Sequence, residues 1–273
     1  MELSLIALDM DGTLMDDSHI RVSPRNRSAL ERCALAGIEL VLASGRPLAL
    51  MVETARVLGV RYVISANGAA IWDLKQNRRM MDRAIPPEQA GPILSILTSY
   101  PIPTEAYSGG RAHVDARTWK LEGYAKQPGE FLSYRTARNA VESDLCRALD
   151  GKSVEKFNVD NLPRATCDAI LAQLAPYRAG LAINYIACYD NLEISRADAT
   201  KGAALSWLCD TLGVPSSRVM AFGDSDNDVD MLRWAGWSFA MGNAEPAALA
   251  AARYQTASNT QDGVAQAIER YVT

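Results

Sequence analysis

Leu3-Ser4-Leu5-Ile6-Ala7-Leu8-Asp9-Met10-Asp11-Gly12-Thr13 decides how the rest of the chain is read. Its apolar run has the length and composition of a buried strand, and it ends on two carboxylates two positions apart, just before a loop. Burying an unpaired carboxylate costs several kcal/mol even after relaxation. In open α/β sheets the carboxyl ends of the strands face the ligand crevice. The run therefore asks for a cation. A second acidic cluster answers it far downstream, where Arg218-Val219-Met220-Ala221-Phe222 reads as another buried strand ending in Gly223-Asp224-Ser225-Asp226-Asn227-Asp228. Two strands tipped with acids suggest one shared ion.

Between them, strand and helix alternate. Ser23-Pro24 is a helix start, with Ser as N-cap and Pro at the first helical position, and the helix should stop at Gly37. Ile38 to Ala43 reads as a short buried strand delivering Ser44-Gly45-Arg46 to the same edge as Asp9. Pro47 opens a helix ending near Gly59, and Tyr62-Val63-Ile64 is a third strand, followed by Asn67-Gly68. This rhythm argues for βαβ units and a parallel sheet. It breaks at Ile85-Pro86-Pro87, where Pro101, Pro103 and Gly109-Gly110 interrupt the chain and the strands expected at 153–159 and 181–187 look half-buried or amphipathic. The regular pattern resumes at Lys201-Gly202, with a helix to about Leu212, the strand before Gly223, and then a helix, a strand at Trp237 to Met241 and a last helix from Asp262. The expectation is an α/β core from 1–83 and 191–273, with an α+β domain, 84–190, inserted into it.

Composition limits the functions. With 28 basic and 32 acidic residues the net charge is -4 and no basic stripe is present, so nucleic acid is not an expected partner. Glu2 stands where a secretory leader carries a basic residue, and Asp9 stops the first apolar stretch before it could span a bilayer; a cytoplasmic location, with no membrane partner, is expected. Cys33, Cys146, Cys167, Cys188 and Cys209 are widely spaced and never form Cys-x-x-Cys, which suits reduced thiols. Oligomeric state is not legible.

The acidic tips point to phosphoryl transfer. A carboxylate such as Asp9 can attack phosphorus and split hydrolysis into two displacements, with Asp11 managing the proton. One oxygen of Asp9, the backbone carbonyl of Asp11 and the carboxylate of Asp224 suit an octahedral Mg²⁺. Two unit charges about 4 Å apart interact by about 4 kcal/mol at an effective dielectric near 20, so a dianionic phosphate needs that ion and a lysine to enter. Lys201, just ahead of the strand carrying Asp224, is the candidate lysine. Ser44 and the N–H of Gly45 sit where donors point at an anion, and Asn227 adds an amide donor. Arg46 is read as pairing with an acidic neighbour. Tyr107, Arg111, Trp119 and Lys120 are read as core filling or solvated surface, His19 and His113 as too isolated for a histidine-based site, and Met80-Met81 as packing beneath the insertion.

Taken in order, Asp9-Met10-Asp11-Gly12-Thr13, Ser44-Gly45-Arg46, Asn67-Gly68, Lys201-Gly202 and Gly223-Asp224-x-x-Asn227-Asp228 resemble the motifs of the haloacid dehalogenase superfamily, specifically its Cof-type phosphatases. The resemblance covers both ends of the chain; the middle matches the family's α/β cap (type IIB) in size and position alone. It implies a Rossmann-like core with a mobile cap, and Mg²⁺-dependent hydrolysis of small phosphorylated metabolites, sugar phosphates among them. Asp9 would be the nucleophile and Asp11 the acid/base, with Ser44 and Lys201 on the phosphoryl group and Asp224 on the metal. The backbone N–H of Met10 would meet the phosphate, and Asp228 would lie near the metal or support Lys201. Two departures are mild: Ser44 where Thr is commoner, and Asp198-Ala199-Thr200 ahead of Lys201. A dehalogenase would not need Asp11 or a metal. A phosphomutase and a silent phospho-ligand sensor are the remaining alternatives.

Overall fold

The computed structural model describes residues 2–119, 129–186 and 190–272. They form two units, Met1–Asp82 with Thr200–Thr273, and Arg83–Ala199. No helix among the described residues is long and apolar enough to cross a membrane.

The first unit is built on an eight-stranded sheet. Its strands are β1 (Leu5–Leu8), β2 (Glu39–Ala43), β3 (Tyr62–Ser65), β4 (Ala70–Asp73) and β5 (Arg78–Asp82) from the first segment. The second segment of this unit contributes three more, which take the last numbers in chain order: β12 (Val219–Gly223), β13 (Trp237–Ala240) and β14 (Tyr254–Gln255). The spatial order is β14-β13-β12-β1-β2-β3-β4-β5. The pairings from β14 to β3 are parallel, with Leu8 opposite both Phe222 and Leu42. That register sets Asp9, Ser44 and Asp224 at one edge, because each follows directly on a strand aligned with its neighbours. Both faces of these strands are covered. Ile6, Leu8, Leu40 and Phe222 pack on one side with the helices Pro24–Leu35 and Gly263–Tyr271, while Leu5, Ala7, Val41 and Val219 pack on the other with Lys201–Leu212. This double burial explains why the strands are unbroken apolar runs.

Ser23 caps the helix Pro24–Leu35, its hydroxyl accepting the Asn26 N–H at 3.1 Å. The helix expected from Pro47 is a 3₁₀ turn at Leu48–Leu50 followed by a short helix, Val52–Val57. The sheet is not wholly parallel: β4 and β5 form an antiparallel hairpin at its edge. Met81 is buried in that hairpin among Tyr62, Ile64 and Ile71, with Met80 packed against the same cluster. The methionine pair thus packs into the first unit's own core.

The second unit holds β6 (Thr104–Ser108), β7 (Arg111–Asp115), β8 (Ala140–Glu142), β9 (Lys156–Val159), β10 (Leu181–Ile186) and β11 (Asn191–Arg196), in the order β10-β11-β9-β6-β7-β8. All pairings are antiparallel except β7 with β8. One face carries Ala106, Phe157, Val159, Leu192 and Ile194 against the helices Pro87–Thr98 and Arg164–Leu174. The alternate positions Glu105, Tyr107, Lys156 and Asn158 are buried too, so β9 alternates polar and apolar residues as an amphipathic strand does, yet is covered on both faces and not half-buried. β11 pairs with β10 and β9, which puts residues 191–199 in this unit and moves the second boundary from 191 to 200. Cys33, Cys146, Cys167 and Cys209 are free thiols; Cys188 and Lys120 lie outside the described residues.

Candidate active site

Asp9 leaves β1 with its backbone N–H donated to Phe222 O at 3.1 Å, which ties the first acidic tip to the strand that carries the second. Its side chain is buried. Oδ1 accepts from Lys201 Nζ at 2.6 Å, and Oδ2 is buried with no hydrogen-bond partner. One oxygen each from Asp9, Asp224 and Asp228 lie within 4.8 Å of one another. Residues far apart in sequence therefore converge as their spacing required.

Gly12 makes that approach possible. It sits at φ 77°, and a Cβ there would overlap the Asp224 carboxylate. Thr13 donates its hydroxyl to Asp224 Oδ1 at 2.7 Å, and Asn243 Nδ2 donates to the Gly12 carbonyl at 2.8 Å. Asp228 is fully buried. Its Oδ2 accepts the backbone N–H groups of Asp224 and Ser225 at 3.0 and 3.1 Å, shaping the loop, while Oδ1 accepts from Lys201 at 2.7 Å.

Lys201 opens the helix Lys201–Leu212, where a cation meets the unfavourable end of the helix dipole. Thr200 is the N-cap, accepting the Ala203 N–H at 3.2 Å, so the departure noted at Asp198-Ala199-Thr200 still supplies a cap. The ammonium is held by Asp9, Asp228 and, at 3.1 Å, Asn227 Oδ1. Asn227 in turn donates Nδ2 to Asn67 Oδ1 at 3.0 Å, so the amide placed at the phosphate from sequence is engaged here in holding the lysine. Asn67 itself is in the left-handed region, followed by Gly68, whose missing Cβ leaves room for the Thr200 backbone.

The electrostatics are unbalanced. Burial drives the Asp9 carboxyl well above its ordinary range; Lys201 opposes this, and Asp228, Asp224 and Asp11 add to it. Asp224 is raised as well, by burial first, against the hydrogen bond from Thr13. Burial also disfavours the Lys201 ammonium, but Asp228 and Asp9 outweigh it and hold the lysine charged. The cluster thus gathers more carboxyl groups than one lysine can hold ionised. The orphaned Asp9 Oδ2 and the carboxylate trio fit a small, hard divalent cation.

Asp11 lies apart from that trio. Arg46 grips it with two N–H groups, Nε to Oδ2 at 2.7 Å and Nη2 to Oδ1 at 2.5 Å, and His19 Nδ1 is 2.7 Å from Oδ1. Burial works to raise this carboxyl, but Arg46 and His19 together hold it well below the usual range. Arg46 does pair with an acidic neighbour; the role of His19 was missed. Ser44 is buried, its Oγ accepting the Arg46 N–H at 3.3 Å, with Gly45 half-buried beside it. The Met10 side chain is buried in the apolar core, leaving only its backbone for any ligand. In the second unit Tyr107 is buried with its hydroxyl on Glu105 at 3.3 Å, Arg111 donates to the carbonyls of Arg138 and Asn139, and the backbone N–H of Trp119 donates to Asp115 O.

A model of the haloacid dehalogenase-like hydrolases matches residues 6–268, a span that includes the buried aspartate at the strand tip and the lysine bound to it; the chain belongs to that family. Among its relatives, the phosphatase YwpJ of Bacillus subtilis (strain 168) is 31% identical, over 96% of this chain and 98% of that protein. The 5-amino-6-(5-phospho-D-ribitylamino)uracil phosphatase YcsE of the same organism is 29% identical, over 100% of this chain and 97% of its own length. A haloacid dehalogenase-like hydrolase from Bacteroides thetaiotaomicron superposes with a TM-score of 0.85 at 29% identity, covering 98% of this chain and 99% of that one.

Proposed function

We propose that the chain is a Mg²⁺-dependent, Cof-type phosphatase of the cytoplasm that hydrolyses small phosphate monoesters, such as sugar phosphates, through an aspartyl phosphate on Asp9. The observation that carries this reading is Asp9 itself: buried, bonded through Oδ1 to Lys201 and left with a free Oδ2 among other carboxylates. The attacking atom is one oxygen of this carboxylate, the other being left for the metal. The attacking oxygen forms a bond to phosphorus as the ester oxygen departs, and Asp11 gives the departing oxygen its proton. In the second half-reaction water attacks the same phosphorus, the bond to Asp9 breaks, and Asp11 takes the proton from the water.

Lys201 neutralises a phosphoryl oxygen, and Ser44, the N–H groups of Gly45 and Met10, and the second N–H of the Asn227 amide supply donors around it. Asp9, Asp224 and the Asp11 backbone carbonyl would hold the metal, with Asp228 anchoring Lys201 beside it. When bound, Mg²⁺ supplies charge neutralisation for the phosphate dianion. The second unit would act as the α/β cap and select the substrate. Relatives that carry the name phosphatase over nearly their whole length support the same reaction class.

The test is a screen of sugar phosphates, nucleotides and cofactor phosphates, run with Mg²⁺ and with EDTA. Turnover of monoesters that disappears in chelator and returns with Mg²⁺, together with phosphate on the Asp9 peptide after acid quench, is the expected result. Undiminished activity in EDTA overturns it.

A further inference from the structure

Arg46 and His19 converge on Asp11 from separate parts of the first unit. Arg46 is buried and holds both carboxylate oxygens. An ionised carboxylate only accepts hydrogen bonds, so the His19 ring nitrogen facing it carries the proton. His19 adds a second contact through its backbone: its carbonyl accepts from Arg46 Nη2 at 2.7 Å. It does this from the left-handed region, at φ 58°, which a histidine adopts only at a cost. The loop that imposes this conformation is itself fixed. Asp16 N–H donates to Arg21 O at 3.0 Å, His19 N–H donates to Asp16 O at 2.9 Å, and Met15 bridges to Val22. Ring and carbonyl of one strained residue thus close on the same ion pair.

This arrangement conflicts with proton transfer. Arg46 and His19 occupy three of its roughly four lone-pair sites, so a proton placed on either Asp11 oxygen trades a charge-assisted pairing for a weaker neutral one, and the closed grip favours the charged carboxylate over the loaded acid. A carboxylate surrounded by three donors is equally ill-placed to draw a proton from water. We infer that Arg46 and His19 are positioning residues that hold Asp11 in a resting, ion-paired orientation, and that this clamp must open before Asp11 moves a proton. The inference rests on the reading of Asp11 as the acid/base of the proposed reaction.

Leaving-group dependence reads the clamp directly. Phenyl phosphate needs a proton on its leaving oxygen, whereas p-nitrophenyl phosphate needs little help, and kcat/KM for each reports the step up to phosphorylation of Asp9. The ratio of the two, phenyl over p-nitrophenyl, is compared in the wild type, Asp11→Asn, His19→Ala and Arg46→Lys. Asp11→Asn should lower the ratio by about tenfold or more. His19→Ala removes one contact and Arg46→Lys removes the two-pronged hold while keeping the charge; each should raise the ratio severalfold. A merely structural role would lower both substrates together and leave the ratio at its wild-type value, and that result in the folded variants overturns the clamp. If His19→Ala fails to fold, Arg46→Lys decides alone. If Asp11→Asn leaves the ratio unchanged, the acid/base reading itself has failed.

Discussion

The two sheets of this protein bury charge in opposite ways. At the edge of the first unit, Asp9, Asp11, Asp224 and Asp228 face Lys201 and Arg46, an excess of two negative charges. On the polar face of the second unit each of the three acids in the network meets a cation directly. Arg135 bridges Glu105 at 2.5 Å and Asp160 at 2.9 Å, and Lys156 meets Glu193 at 2.6 Å, with Asn158 and Asn191 completing the network around Asp160. Buried acids kept in excess have a reason to be there only if something arrives to offset them, whereas matched charges are satisfied by the fold alone. The imbalance marks a site; the balance marks structure.

Neutralising a charge in the unbalanced cluster should therefore cost chemistry and spare the fold. Asp9→Asn removes the attacking oxygen but leaves Lys201 its contacts to Asp228 and Asn227. Turnover of p-nitrophenyl phosphate should fall by at least about a thousandfold. Thermal stability without added metal should hold or rise, because the native state, by raising this carboxyl above its unfolded value, disfavours the charged form at neutral pH. Near-normal kinetics would remove Asp9 from the mechanism, and a large drop in melting temperature would erase the distinction between the two regions.

In the matched network the signs should reverse. Arg135→Met removes the cation that bridges buried Glu105 and half-buried Asp160, a change that costs about 3–5 kcal/mol where such a pair is fully buried. Urea denaturation should show the second unit melting early, while folded protein at low denaturant still turns over p-nitrophenyl phosphate. Replacing Glu105 by Gln in the same chain should recover part of the loss, since one of the two stranded charges is then gone. A fully stable Arg135→Met protein would show that the pairing is incidental.

The same contrast explains what the sequence made legible. An apolar run ending on Asp9, and another ending on Asp224, are local patterns, and the shared edge follows from parallel register alone. Lys201 could be found because it stands just ahead of the strand that carries Asp224, where the cost of a cation at a helix start favours an anion nearby. The hairpin of β4 and β5 escaped because Arg78-Arg79-Met80-Met81-Asp82 has no alternation to mark a strand. Residues 191–199 were misplaced because β11 is held by antiparallel partners whose pairing leaves no local trace. The His19 and Asn67 contacts were hidden for a related reason. Each depends on a left-handed backbone at a non-glycine residue, which aims a side chain or carbonyl where no periodicity points. The matched network of the second unit was invisible because Glu105, Arg135 and Asp160 each look like ordinary surface charges until the sheet brings them together.

The smallest expected effect asks whether matching stabilises within the first unit too. Asp73, at the end of β4, is buried. It accepts Arg61 Nη2 at 2.7 Å and Nε at 3.1 Å, and the N–H groups of Lys75 and Gln76 at 3.0 and 3.1 Å. The Arg61 hydrogen bonds lower its carboxyl from the ordinary value; burial opposes them, and the turn N–H groups add to the lowering. A folded-state value below the unfolded one means stabilisation that is complete above the unfolded range, near 3.9 for Asp, and lost as the pH falls through the folded value. Asp73→Asn keeps an acceptor for the turn but loses the charge, so it should cost about 1–3 kcal/mol at neutral pH. That penalty should shrink as the pH drops below the unfolded carboxylate range, because protonation then removes the same charge from the wild type. Urea midpoints of both proteins across the acid limb measure it. Parallel curves would mean that the Arg61–Asp73 pair contributes nothing through its charge, and that balance in a buried pair is no guide to what holds this fold together.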